Sequence, residues 1–151
     1  MHEVILATEK ATRQAEDSLA DALKAWLVED GFDLRQDRYY PELFGNRVID
    51  LTRRRLSIRL VRDRSEWSIE IAGPDGKWTY AVRWGDLVQG PGFNPEPVSF
   101  SWQVEILEKQ LDPIQSLADG PDFASTAVAL ARLSRASAPR WLDPKPTEQP
   151  T

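Results

Sequence analysis

Residues 45–82 read GNRVIDLTRRRLSIRLVRDRSEWSIEIAGPDGKWTYAV, and their alternation decides the fold. Leu56, Ile58 and Leu60 fall on one side of an extended chain, with Ser57, Arg59 and Val61 on the other. Trp67, Ile69 and Ile71 repeat the pattern around Ser68 and Glu70, and Trp78, Tyr80 and Val82 repeat it around Thr79 and Ala81. A period of two is what a strand with one buried face requires. Pro74-Asp75-Gly76 supplies a turn, because Pro presets φ, Asp bonds its own backbone and Gly accepts positive φ. Asp63-Arg64-Ser65 is a less strongly marked turn, and Arg53-Arg54-Arg55 must hold the one after an earlier strand at Val48–Thr52. A further strand near Asp33–Tyr40 alternates poorly. An antiparallel meander of four to five strands is expected, with Trp67 and Trp78 on its buried face.

Helical spacing surrounds this meander. Ala11, Ala15, Leu19, Leu23, Trp26 and Leu27 form one stripe, which predicts a helix over Glu9–Asp30 with Thr8 as its cap and Gly31 as its stop. Trp84–Val88 suggests a short helical turn. Residues 90–97 hold two glycines and three prolines and read as a loop. Phe100, Val104, Leu107 and Leu111 predict a helix over Ser99–Leu111. Asp112-Pro113 then has the form of a cap followed by the first residue of a new helix, and a last helix is expected over Phe123–Ser137. The fold class is therefore α+β: an N-terminal helix on the meander, followed by two to three C-terminal helices. Residues 1–138 form the expected single domain, and 139–151 a Pro-rich, poorly ordered tail anchored by Trp141 and Leu142.

Charge is unevenly placed along the 151 residues. Residues 1–45 hold five basic and ten acidic side chains, residues 46–83 nine and five, and residues 84–151 five and nine. A basic sheet thus stands between acidic helices, and the acids serve either their own sheet or a basic partner. There is no cysteine and one histidine, His2. Thiol chemistry and Cys/His zinc sites are excluded, and a Ser-His arrangement would depend on a residue at the start of the chain. No Gly-rich phosphate loop or EF-hand spacing occurs. A non-enzymatic protein with no cofactor is expected. No apolar run approaches the ~20 residues of a membrane span, and Met1–Leu6 lacks the basic and apolar segments of a signal peptide, so a cytoplasmic protein is expected. Six arginines between Arg53 and Arg64 beside two tryptophans give single-stranded nucleic acid a hearing, but the acidic net charge of −5 weighs against it.

Phe44-Gly45-Asn46, Val48-Ile49-Asp50-Leu51, the run Leu56–Arg64, Trp67 and Ile69-Glu70-Ile71 together resemble the hallmark of a group of small bacterial α+β proteins, many of them similar to immunity proteins of polymorphic toxin systems. The resemblance covers about a quarter of the chain, Arg62-Asp63-Arg64 is its most specific part, and Ser65 stands where that pattern has glycine. It implies a protein-binding module that neutralises a bacterial toxin by covering its surface, and an acidic inhibitor suits a basic toxin domain. The alternative is an acidic secretion chaperone or adaptor, which would be a dimer; a monomer is expected for the immunity role. Arg62, Asp63 and Arg64 either brace their hairpin or meet a partner. The remaining candidate contacts are Tyr39, Tyr40, Asp86, Phe93, Trp102 and Glu105, exposed acids and aromatics, since interface anchors are commonly Trp, Tyr and Arg.

Overall fold

The computed structural model describes residues 2–90 and 98–137, with side chains described over 13–90 and 98–134. Phe93, Trp141 and Leu142 lie outside the described residues. A helix α1 (His2–Glu29) leads into strands β1 (Asp33–Tyr40), β2 (Asn46–Arg53), β3 (Leu56–Asp63), β4 (Glu66–Ala72) and β5 (Thr79–Tyr80), followed by helices α2 (Ala81–Gln89), α3 (Phe100–Asp119) and α4 (Phe123–Ser137). The strands form one antiparallel sheet in chain order, β1-β2-β3-β4-β5. This is the α+β meander expected from the alternation.

The alternation places its apolar set on one face. Ile49, Leu51, Leu56, Ile58, Leu60, Ile69 and Ile71 are fully buried there, against Leu23 and Leu27 of α1 and Val104, Leu107, Leu111 and Ile114 of α3. The opposite face is polar and only partly buried. A row of polar residues crosses it, with Gln36 opposite Asp50, Asp50 opposite Arg59, and Arg59 opposite Glu70. Helix α1 stops in two linked bonds, Gly31 N–H to the Val28 carbonyl at 3.1 Å and Phe32 N–H to the Leu27 carbonyl at 2.9 Å. Gly31 takes φ 102, which glycine adopts freely, and Phe32 is buried behind it.

Four expectations are corrected. Helix α1 begins at His2, ahead of the expected Thr8 cap. The strand over Trp78–Val82 shortens to two residues, because Ala81, Trp84, Gly85 and Val88 offer a helical spacing that the alternation concealed. Trp84 is fully buried and donates from Nε1 to the Ile71 carbonyl at 3.3 Å. Trp78 is not in the core; it is half-buried, with the Arg59 guanidinium 3.9 Å from its ring centroid. Finally, α3 does not break at Asp112-Pro113. Proline inside a helix costs about 3 kcal/mol, but burial of Leu111, Ile114 and Ala118 carries the apolar stripe through it. Ser99 caps α3, its side chain accepting from the Trp102 N–H at 3.2 Å.

Candidate protein-binding site

Two turns share one end of the sheet: Pro41–Gly45, between β1 and β2, and Arg64-Ser65, between β3 and β4. Both bend through left-handed backbone. Phe44 has φ 55 and Gly45 φ 69; Arg64 has φ 51 and Ser65 φ 72. Positive φ at both central residues is the geometry of a two-residue hairpin whose twist matches its strands. Ser65 meets that requirement without being glycine, and each such residue costs roughly 1 kcal/mol.

Asn46 clips the two turns together. Its Oδ1 accepts from the Arg64 N–H at 2.9 Å, and its Nδ2 lies 3.4 Å from Asp63 Oδ1. Arg62 donates to the Gly45 carbonyl at 3.1 Å. Its Nε is buried and faces Asp17 of α1 at 3.4 Å, an ion pair without a hydrogen bond. Trp67 Nε1 donates to the same Asp17 carboxylate at 2.7 Å. Gly45 is required by its backbone at φ 69, since a Cβ there would make only ordinary contacts, 3.4 Å from the Arg62 guanidinium and the Tyr39 hydroxyl. Arg47 adds a second tether, pairing with Asp21 of α1 at 2.9 Å and with Asp37 of β1 at 2.8 Å. The Arg47 and Lys24 cations hold the Asp37 carboxyl down at about 2.

Large apolar groups stand out from this braced end. Phe44 is 74% exposed, Tyr39 60% and Leu43 50%. The Arg64 guanidinium lies 5.5 Å from the Phe44 ring centroid, and that of Arg38 5.7 Å from Tyr40. The structure thus brings together five of the residues singled out in the sequence: Tyr39, Tyr40, Arg62, Asp63 and Arg64. Arg62 serves as a brace and Arg64 is exposed.

The other candidates lie elsewhere. Asp86 on α2 is only 4% exposed and pairs with Arg83 at 2.9 Å, so it is not a surface contact. Trp102 and Glu105 sit on α3 beside Gln89 and Lys109, around a cavity of about 80 Å³. Leu43 and Phe44, both exposed, were not among the candidates. Their signal was an apolar pair after Pro41 that belongs to neither a period of two nor one of 3.6.

The basic segment is largely engaged within the chain. Arg53 reaches Asp30 and Gln115, Arg54 pairs with Asp119, and Arg59 with Asp50, which also accepts from Gln36. Beside that row, burial pushes the Glu70 carboxyl up, and Arg59 partly offsets it. Among the described residues, no group of three or more His, Asp or Glu side chains converges as a metal site, and no helix is long and apolar enough to cross a membrane. No protein-family model, curated protein or solved structure matches this chain.

Proposed function

We propose that this chain is a protein-binding module that grips its partner through the tip formed by Tyr39, Leu43 and Phe44. One observation carries this: three large apolar side chains are held in water on a braced end of the sheet. Interface anchors are aromatic groups whose order is already established before binding, since that lowers the entropy lost on association. Phe44 is also kept at a φ that a non-glycine residue adopts at a cost, and such strain concentrates at functional sites.

The role we propose is that of an immunity protein against a bacterial toxin. In its support, the residues that resemble the family hallmark, Gly45, Asn46 and Arg62–Arg64, are the ones that build the tip. The net charge of −5 favours fast encounter with a basic toxin domain. The test is to recover the partner of the tagged chain at moderate salt and co-express the two. The expected result is a single stoichiometric toxin whose growth arrest the chain relieves, with both capture and relief lost in Tyr39→Ala/Phe44→Ala. Undiminished relief by that double variant would overturn the site. A homodimer carrying a secreted effector would replace the immunity role with that of a chaperone.

A further inference from the structure

The sheet treats its two edges differently. At the β4 edge the two-residue β5 pairs only with Glu70 and Ile71, and the next outward amide is stopped by a side chain: the Ile69 N–H donates to Gln103 Oε1 of α3 at 2.8 Å. At the β1 edge nothing of the kind occurs among the described residues. The two-residue turn Arg54-Arg55 closes on the pair Arg53 and Leu56, so the odd-numbered residues of β2 bond β3 and its even-numbered ones bond β1. On β1 the bonded partners are therefore Gln36, Arg38 and Tyr40. The backbone N–H and C=O groups of Asp37 and Tyr39 point outward, and no hydrogen bond among the described residues reaches them.

We infer that this edge takes up an extended segment of the partner as a further strand beside Asp37–Tyr39; the inference rests on the protein-binding reading of this end. An added strand gains main-chain hydrogen bonds from a bare edge and specificity from alternate side chains. The open run is short. The irregular register at Leu34/Gln36 bounds it on one side, and Pro41, which has no N–H, bounds it on the other. It is continuous with the tip, since Tyr39 belongs to both. The charge fits a carboxylate. Arg35 and Arg38 are exposed and make no ion pair among the described residues, whereas Asp37 is already held by Lys24 and Arg47. The segment thus carries an acidic residue beside Arg38, flanked by apolar residues that fall on the Tyr39 face. A second copy of β1 fits badly. Two-fold pairing centred on Asp37 sets two carboxylates opposite each other, pairing centred on Arg38 sets two guanidiniums opposite, and pairing centred on Tyr39 meets Pro41.

Amide hydrogen exchange of the full chain gives the first reading. Asp37 and Tyr39 should exchange fast, and Gln36, Arg38 and Tyr40 slowly. Slow exchange at Asp37 and Tyr39 in the free chain means that the edge is covered and overturns the inference. The probe is then a displayed library of random peptides about 10 residues long, enough for a strand of about 5–6 residues, selected on the chain. The expected result is an enriched family with a carboxylate between apolar residues, whose synthetic member slows the Asp37 and Tyr39 amides at least roughly tenfold at saturation. Arg38→Glu should lose that binding, and a peptide with lysine at the acidic position should restore it. Asp37→Pro, which removes one outward N–H, should bind at least roughly tenfold more weakly than Asp37→Asn, which keeps it. If Asp37→Pro fails to fold, the exchange data on the unaltered chain decide. No enriched peptide, or peptides that leave both amides fast, overturn the inference. Peptides lost in Tyr39→Ala/Phe44→Ala yet indifferent to Asp37→Pro also overturn it and leave the tip standing; the reverse pattern keeps the edge and removes the tip.

Discussion

The two ends of the β2–β3 hairpin are both arginine-rich, yet they do opposite things. At the turn end, Arg53 donates to the Asp30 carbonyl at 2.7 Å, to the Asp30 carboxylate at 2.8 Å and to Gln115 at 3.0 Å, and its guanidinium lies 4.4 Å from the Phe32 ring centroid. Asp119 takes the Arg54 side chain and the Arg55 N–H. That end is sewn to α1 and α3. At the other end, Arg62 and Arg64 are turned toward two loops, and the result is an exposed aromatic tip. The same residue type closes the protein at one end and holds a surface open at the other. The difference lies in which neighbours the helices supply: α3 brings Gln115 and Asp119 to the closed end, whereas α1 brings Asp17 and Asp21 to the arginines near the tip.

The largest effect should come from disturbing the closed end. Gly73 follows β4 there, and a Cβ on it would stand 2.2 Å from the Phe123 ring, which stacks on Trp84 at 6.4 Å. Gly73→Ala must push that ring aside, and overpacking of this kind costs about 2–3 kcal/mol. Urea unfolding should show it as a lower midpoint with unchanged slope; a loss below about 0.5 kcal/mol would mean that α4 is not tightly seated. Arg53→Ala comes next. It strands Gln115 and the Asp30 carbonyl, for a loss of about 2 kcal/mol, whereas Arg64→Ala at the tip removes only exposed contacts and should lose at most about 0.5–1 kcal/mol. Equal losses would erase the contrast between the ends.

A smaller effect is readable through pH. Asp37 is held at about 2 by hydrogen bonds and charge from Arg47, with Lys24 assisting. Its folded pKa lies below the unfolded value near 3.9, so its contribution is complete above that value and is lost as pH falls toward 2. Burial raises the Glu16 and Glu70 carboxyls, which acts in the opposite sense and blurs the overall acid profile. The informative quantity is therefore the stability difference between the protein and Asp37→Asn. It should be about 1 kcal/mol at pH 7, after allowance for solvent screening, and shrink toward zero by pH 2. A difference constant with pH would show that the brace between α1 and β1 is not electrostatic.

The sequence was informative wherever one physical rule acted alone. Strict alternation marked β3 and β4, whose partners lie on both sides and whose helix face is dry. Strand β1 was faint because it is an edge strand with an irregular register at Leu34/Gln36, and most of its residues are exposed. Rules failed where two competed. At Ala81–Val82 alternation and helical spacing overlap, and the core position of Trp84 decides for the helix. At Pro113 burial outweighed a helix-breaking residue. Of the tip, the arginines and tyrosines were legible as residue types suited to binding. Phe44 was not, because exposure depends on the clip from Asn46 to the other hairpin, 18 residues away in the chain.

Phe44 allows the sharpest test of the open end, because its expected effect on stability is close to nothing. The ring is mostly in water, with the Arg64 guanidinium, itself exposed, 5.5 Å from its centroid. An exposed contact of that kind contributes about 0.5–1 kcal/mol. Against it stands the left-handed backbone at φ 55, which asparagine tolerates far better than phenylalanine. Phe44→Asn should thus leave the unfolding midpoint unchanged or raise stability by up to about 0.5 kcal/mol, while partner capture is lost. A residue whose replacement costs the fold nothing and the interaction everything is held in place for the partner. If Phe44→Asn instead destabilises the chain by more than about 1 kcal/mol, the ring is packing for the two hairpins, and the open end is structural like the closed one.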